Sequence, residues 1–312
     1  MSKDNDILVL DSILDLYRNL ATIPTDLNER SQFFIHDLGS IEVPIPFVSP
    51  IYRANFFSFV FVKNAKGTSY SDHYTFDIGP QTVYFNNPGD IKHVYFSDLK
   101  ELYLVMMSES FLKENVHPDI YEEFPFLLSE TVPPRILDDE LYAEFETIYK
   151  QILKEFSSSS IYKFNLIGYF VVIILVKLKQ YFWNDYDPVN EGNRNSQIVK
   201  KFRQMLEKHY RNLSKGIDDK VFRIQEYAAA QFLHPNYFNT VIKSKTGKSV
   251  GAWIIEKTIT EAKSLLSNSE ISIKEIAWRL GFVEAAHFSN YFKKYTSISP
   301  VVYRRQNLSS IS

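Results

Sequence analysis

Along residues 7 to 20, ILVLDSILDLYRNL, apolar side chains recur at helical spacing, which predicts a short amphipathic helix at the start of the chain. From about Gln32 to Met107 the texture changes to short aromatic and β-branched runs: Phe56 to Val62, Thr82 to Phe85, His93 to Phe96 and Leu102 to Met107. Turn residues stand between them, at Asn64 to Gly67, Gly79-Pro80 and Asn86 to Asp90. Such runs predict a small antiparallel β barrel or sandwich. Helical spacing returns from Asp138 to Phe156 and from Ile161 to Trp183, on either side of the serine run Ser157 to Ser160. The stretch Asn184 to Asn195 is polar, contains Pro and Gly, and has no period, so it reads as a linker.

Beyond the linker a pattern occurs twice. Gln197 to Tyr210 reads as a helix, and Arg223 to Phe232 as a shorter one with Ala228 in its middle. A break at Leu233-His234-Pro235 precedes Asn236 to Lys245, with Pro235 suited to a first helical turn and Gly247 to a C-cap. Two short helices with a tight break and a small crossing residue make a helix-turn-helix. About fifty residues later, Ser272-Ile-Lys-Glu275 forms a capping box, Ala277 is the small residue, Gly281-Phe282 the turn, and Ala285 to Tyr295 the second helix. Val250 to Leu266 predicts a helix joining the two units, about 25 Å long at about 1.5 Å per residue. That length can hold two recognition helices about one DNA turn, roughly 34 Å, apart.

Charge changes the picture more than composition does. Residues 1 to 195 hold 16 Lys/Arg against 28 Asp/Glu, while residues 196 to 312 hold 19 against 9, so a net −12 is followed by a net +10. Only the basic part suits a nucleic-acid partner. The chain has no cysteine, which excludes disulfides, thiolate metal sites and a cysteine nucleophile. Its opening, MSKDNDILVL, lacks the basic start of a secretory signal, which predicts a cytoplasmic protein. The longest apolar run, Ile167 to Val176, is shorter than the roughly 18 to 20 residues that span a bilayer, so it reads as a buried or interface helix with no membrane partner.

From about Ser196 to Arg305 the sequence resembles the AraC/XylS family of bacterial regulators. The resemblance rests on Ala262-Lys-x-Leu-Leu266, Ile273-x-Glu-Ile-Ala277, Gly281-Phe282, Phe288-Ser-x-x-Phe-Lys-Lys294, Pro300 and Tyr303-Arg304. Departures are His234 where the family usually has Ser, Thr258 at a position often held by Arg, and Ser297 in place of Gly. The β-rich region, about residues 30 to 107, is similar to the cupin-like sensor half of these regulators, with Asn86 to His93 matching their Pro-Gly-x-x-His turn. The expected fold is α+β, an N-terminal cupin-like β barrel with flanking helices and then an all-α DNA-binding domain. Its parts are a sensor at 1–136, a helical dimerisation segment at 137–183, a linker at 184–195 and a double helix-turn-helix at 196–306.

On the first recognition helix Tyr237, Phe238, Val241 and Ile242 follow the core spacing, leaving Asn236, Asn239, Thr240 and Lys243 to face DNA. Asn can pair bidentately with adenine, Thr can meet a thymine methyl, and Lys suits phosphate. On the second helix Phe288, Tyr291 and Phe292 are core, and Ala285, Ala286, Ser289, Asn290 and Lys293 face outward. Two alanines donate no hydrogen bonds, so the first unit is expected to carry more of the hydrogen-bonded reading. For an effector pocket, the resemblance and the predicted strands point to Arg53, Tyr84 and His93.

No pair among the seven histidines has metal-ligand spacing, and Ile51 to Phe56 offers no His/Glu metal box, so no metal, cofactor or catalytic residue is expected. The function implied is an effector-responsive, sequence-specific transcription regulator that binds double-stranded DNA as a homodimer, and contacts RNA polymerase if it activates. Two alternatives stand beside it. One is a regulator whose barrel is empty and whose activity follows expression level or a protein partner. The other is a cupin enzyme fused to a DNA-targeting module.

Overall fold

The computed structural model describes residues 7–20, 23–41, 44–71, 74–117, 119–128, 134–182, 194–267 and 270–309. The described residues of Met1–Val116 and Phe124–Pro188 form one compact unit, and those of His117–Glu123 and Val189–Ser312 form a second. Trp183 and most of the expected linker, 183–193, lie outside the described residues.

The first unit begins with β1 (Leu8–Leu10) and α1 (Ile13–Leu20), where the sequence pattern predicted one helix. Leu8 to Leu10 instead pair in parallel with Tyr52 to Ala54. Helix α1 starts late because Ser12 and Asp15 cap each other, each backbone N–H donating to the other's side chain. Strands β2 (Phe33–Asp37), β3 (Phe47–Val48), β4 (Tyr52–Ala54), β5 (Phe57–Ser71), β6 (Tyr74–Ile78), β7 (Thr82–Asn86) and β8 (Ile91–Met107) follow. With β1 and β9 (Arg135–Ile136) they make a nine-stranded mixed sheet in the order β1-β4-β8-β5-β7-β9, β2 and β3 adding to β8 and β6 to β5. Two predicted short strands, His93 to Phe96 and Leu102 to Met107, thus merge into β8, and the run Phe56 to Val62 extends to Ser71 as β5. The stretch that suggested a turn, Asn64 to Gly67, stays in the ladder opposite Glu101, Leu99, Asp98 and Phe96 through register shifts between Val62 and Gly67.

The run Phe57 to Val62 is buried at every position, Ser58 included, because both faces of β5 are covered. Val60 and Val62 pack inward with Tyr84, Phe96 and Leu102, while Phe61 turns outward. The outer cover is α4 (Asp139–Phe156), capped by Asp138, with the Phe61 and Phe145 rings 5.9 Å apart and Tyr103 stacked on Tyr149 at 4.3 Å. Between β8 and α4 lie α2 (Glu109–Asn115) and α3 (Ile120–Glu123), and α4 is followed by α5 (Lys163–Phe182). Helix α5 buries Ile167, Val171, Ile174, Leu175 and Leu178. It approaches α2 so closely that a Cβ on Gly168 would lie 2.0 Å from the Asn115 carbonyl oxygen. By length and composition alone Lys163–Tyr181 could cross a membrane, and a third of that stretch is buried inside the protein.

The second unit holds α6 (Arg194–Ser214), α7 (Ile224–Ala229), α8 (Pro235–Thr246), α9 (Val250–Ser267), α10 (Ile273–Arg279), α11 (Ala285–Thr296) and α12 (Pro300–Ser309). It has two separate cores. Phe202, Leu206, Tyr210, Tyr227, Ala228, Phe238, Ile242 and Val250 make one, and Ile259, Ala262, Leu266, Ile276, Ala277, Phe288 and Phe292 the other. Helix α9 belongs to both, its first half in the first core and its second half in the other. Where they meet α9 is polar yet buried: Lys257 pairs with Glu207 and Glu261, and Thr258 bonds the Tyr210 hydroxyl at 2.5 Å. The segment 117–123 packs with this unit through Glu122–Arg211 and Asp119–Lys215 ion pairs of 2.5 and 3.3 Å.

Candidate nucleic-acid interface and sheet cavity

Helix α8 begins where His234 caps it, the ring Nδ1 accepting from the Asn236 N–H at 3.3 Å with Pro235 in the first turn. It ends at Gly247, whose φ of 77° is the left-handed conformation that glycine tolerates best. Helix α11 runs from Ala285 and ends at Ser297 with a φ of 65°. The two helices align at an offset of 50 residues. In each, one phenylalanine pair or aliphatic group turns inward, Phe238 with Ile242 in α8 and Phe288 with Phe292 in α11.

The opposite faces are open at matching positions. In α8 these are Asn236, Tyr237, Thr240, Lys243 and Ser244, and in α11 they are Ala286, His287, Asn290, Lys293 and Lys294. Four of them, Tyr237, Ser244, His287 and Lys294, were not among the residues expected from sequence. Tyr237 was placed in the core because it is aromatic, whereas it is 45% exposed. Aligning the two halves would have found it, since a polar His287 holds the same position.

Asn239 stands apart from the other expected readers. It is half-buried, and its side-chain oxygen accepts the Val250 N–H at 3.0 Å, capping α9. The acceptor that a bidentate adenine contact requires is therefore already engaged. Thr240 and Ser289 use their hydroxyl protons on the carbonyls four residues back, Asn236 and Ala285, at 2.9 and 2.8 Å. Ala285 and Ser289 are half-buried at the edge of the open face. Thr258 is buried against Tyr210 and supports the fold rather than facing outward.

A helix-turn-helix domain family matches residues 227–306. The C-terminal unit carries an AraC-type helix-turn-helix domain. Similar proteins include the regulatory protein PocR of Salmonella typhimurium, 27% identical over 117 residues, 38% of either chain. The arabinose operon regulatory protein of Escherichia coli is 32% identical over 92 residues, 30% of this chain and 32% of that one. This chain therefore spans well under half the length of these relatives. Among solved structures, the C-terminal domain of AraT, a response regulator from Geobacillus stearothermophilus, is 32% identical with a TM-score of 0.32, covering 36% of this chain and 88% of that one. Within the AraC-type domain the matched residues include α8 and α11, the two helices with open faces.

In the first unit the inner sheet face encloses a cavity of about 70 Å³. Tyr84 lines it, as expected, but Arg53 and His93 do not. Arg53 is buried and donates to the Gly89 carbonyl at 2.5 Å, holding the turn before β8. His93 follows Lys92 on β8, and successive strand residues point to opposite faces. Lys92, Val94 and Phe96 line the cavity, so His93 lies on the other face. Carrying that alternation back from Val94 and Phe96 would have singled out Lys92.

Proposed function

We propose that the protein is a cytoplasmic, sequence-specific transcription regulator that reads double-stranded DNA with α8 and α11, and that its sheet-rich unit holds a small-molecule effector. The matched pair of open faces carries the reading. Two helices of equal length, joined by an 18-residue helix of about 27 Å, present side chains at equivalent positions. The basic charge of residues 196–312 supplies phosphate attraction, and the relatives are named as regulatory proteins. Asn236, Tyr237, Thr240, His287 and Asn290 face the bases, Lys243, Lys293 and Lys294 face phosphates, and Ala286 admits a methyl group or close backbone approach. Mapping of bound genomic sites tests it. Discrete sites should be lost in a Thr240→Ala/Asn290→Ala double variant, and even coverage by the unaltered chain would overturn the reading.

The dimer expected around Ile161 to Trp183 has a specific surface. Tyr162, Leu166, Tyr169, Ile173 and Val176 are exposed and alternate at spacings of four and three, the period of a coiled-coil seam. Ile174 packs inside the unit and is not part of that seam. A second copy of α5 fits this face, forming a homodimer that can engage two half-sites and, at an activated promoter, RNA polymerase. Ile173→Glu should give folded monomer by sedimentation, and an unchanged dimer would place the contact elsewhere.

A further inference from the structure

The described residues of His117–Glu123 follow α2 and precede α4 in the chain, yet they belong to the unit that holds the two helix-turn-helix motifs. Their contacts inside that unit are specific. Tyr121 of α3 is 8% exposed, and its ring stands over the Lys257 ammonium of α9, 5.3 Å from the nitrogen to the ring centre. Glu122 pairs with Arg211 on α6 at 2.5 Å, and Asp119 pairs with Lys215, just past the end of α6, at 3.3 Å. One short segment therefore touches both α6 and α9. Its acidic side chains suit the excess positive charge of residues 196–312.

The place it touches is the join between the two cores. On one side Val250 of α9 shares a core with Phe202 and Tyr210 of α6, and on the other Ile259 and Ala262 share one with Phe288 and Phe292 of α11. Between them α6 is tied to α9 by polar groups, Glu207 to Lys257 and the Tyr210 hydroxyl to Thr258 at 2.5 Å. Lys257 also meets Glu261, one turn on, at 3.4 Å. Its ammonium attracts these carboxylates strongly because it is 2% exposed and little water screens it. The Tyr121 ring is part of what keeps that water away. The ion pairs of Asp119 and Glu122 are partly exposed and add little strength, but they hold the ring in place.

Resting on the reading of α8 and α11 as a pair of DNA readers, we infer that residues 117–123 are a clasp that fixes the first helix-turn-helix against α9, and so sets the spacing at which the two recognition helices meet DNA. Tyr121 is its central positioning residue and acts through Lys257. Without the ring, water reaches the ammonium and the tie to Glu207 weakens, so α6 can tilt against α9. Helix α8 moves with α6 because Phe238 and Ile242 lie in the α6 core, while α11 stays with the second half of α9. A small tilt is enough. One added base pair moves a tract by about 3.4 Å and turns it by about 35°. Spacing selectivity is thus supplied from outside the matched residues 227–306.

The test uses the full chain and duplexes carrying the motif that it selects, with one base pair inserted or removed between the two tracts. For the unaltered chain either change should weaken binding about tenfold or more, because a rigid pair cannot follow the shift. In Tyr121→Ala, shown folded by circular dichroism, the same change should weaken binding less than about threefold, with a loss of at most about fivefold at the original spacing. Tyr121→Phe keeps a ring over Lys257 and should restore the full spacing cost. If Tyr121→Ala does not fold, the double variant Asp119→Asn/Glu122→Gln releases both anchors of the ring and should bring the cost down to about threefold. A folded Tyr121→Ala or double variant that keeps the full spacing cost would overturn the clasp, as would a loss of affinity that is uniform at every spacing. An unaltered chain that tolerates the inserted base pair would overturn the clasp and leave the DNA reading standing. One that selects no motif at all would overturn both.

Discussion

The two helix-turn-helix units meet the same backbone demands with different residues. The hydroxyls of Thr246 and Thr296 each lie within hydrogen-bond distance of two carbonyls, Ile242 and Lys248 in one case, Phe292 and Ile298 in the other, and have one proton to share between them. Ser249 caps α9 by accepting from Ala252, and Ser299 caps α12 by accepting from Val302, at 3.2 and 3.3 Å. The match then breaks one residue on. Val250 has an N–H that Asn239 must satisfy, while Pro300 has none, so Ser289 carries no such duty. In the turns the left-handed residue is Phe232 in the first unit, φ 56° and 94% exposed, and Gly281 in the second, φ 74°. A residue's role in the repeat is thus set by what its backbone neighbour lacks, not by its own type.

Gly281 offers the largest effect. A Cβ there would stand 2.9 Å from the Val221 nitrogen, in a conformation already costly for an L-residue. Gly281→Val should lose about 3 kcal/mol in denaturant melts, from the left-handed backbone and the clash together. Phe232→Gly, which relieves the same conformation in open space, should change stability by less than about 1 kcal/mol. Equal losses would mean that the turns are not equivalent.

Next is the amide of Asn290, exposed in the middle of α11 where α8 has Thr240. Asn290→Ala should cost about 2 kcal/mol at the preferred DNA site and relax one base pair. The sequence pattern had assigned more of the hydrogen-bonded reading to the first unit. With the Asn239 acceptor engaged by Val250, Asn290 brings a full amide to the second unit. Titrations on matched and mismatched duplexes decide between them.

Asn239→Ala should cost about 1 kcal/mol of stability, as a lost helix cap does, and should weaken binding alike on every sequence. Asn239→Asp keeps an acceptor and should retain most of that stability, while Ser289→Ala should stay within about 0.5 kcal/mol. A sequence-selective loss in Asn239→Ala would restore it as a reader of bases.

The smallest difference is in acid. The core around the first helix-turn-helix buries His209, whose Nε2 accepts the Phe222 N–H and whose Nδ1 donates to Asp218, both at 3.1 Å. Burial holds its pKa below the ordinary value, and the bond to Asp218 opposes this in part. Protonation would remove the acceptor from Phe222. Because the folded pKa is the lower one, the unfolded chain binds more protons, and stability falls as pH drops below about 6.5 towards the folded value. His209→Gln should flatten that part of the melting-versus-pH curve. The second helix-turn-helix has no buried histidine among its described residues and adds no such slope.

Much of this molecule was legible because helical spacing and cap residues are local. Asp138, Ser272, Pro235 and Gly247 mark helix ends correctly, and the 50-residue repeat could be read by eye. What was missed depends on distant partners. Leu8 to Leu10 become a strand only because Tyr52 to Ala54 lie beside them. Asn239 leaves the reading face only because Val250 needs an acceptor. Strand register decides which neighbour enters the cavity, and one residue separates Lys92 from His93.

The central claim is that α8 and α11 read DNA together as a rigid pair. Selection from a random duplex pool with the full chain, followed by sequencing, tests it most directly. The account predicts an enriched motif with two tracts about one helical turn apart, roughly 10 base pairs centre to centre, the tract under α11 fading in Asn290→Ala. A pool that stays random, bound with steep salt dependence and no preferred spacing, would contradict it.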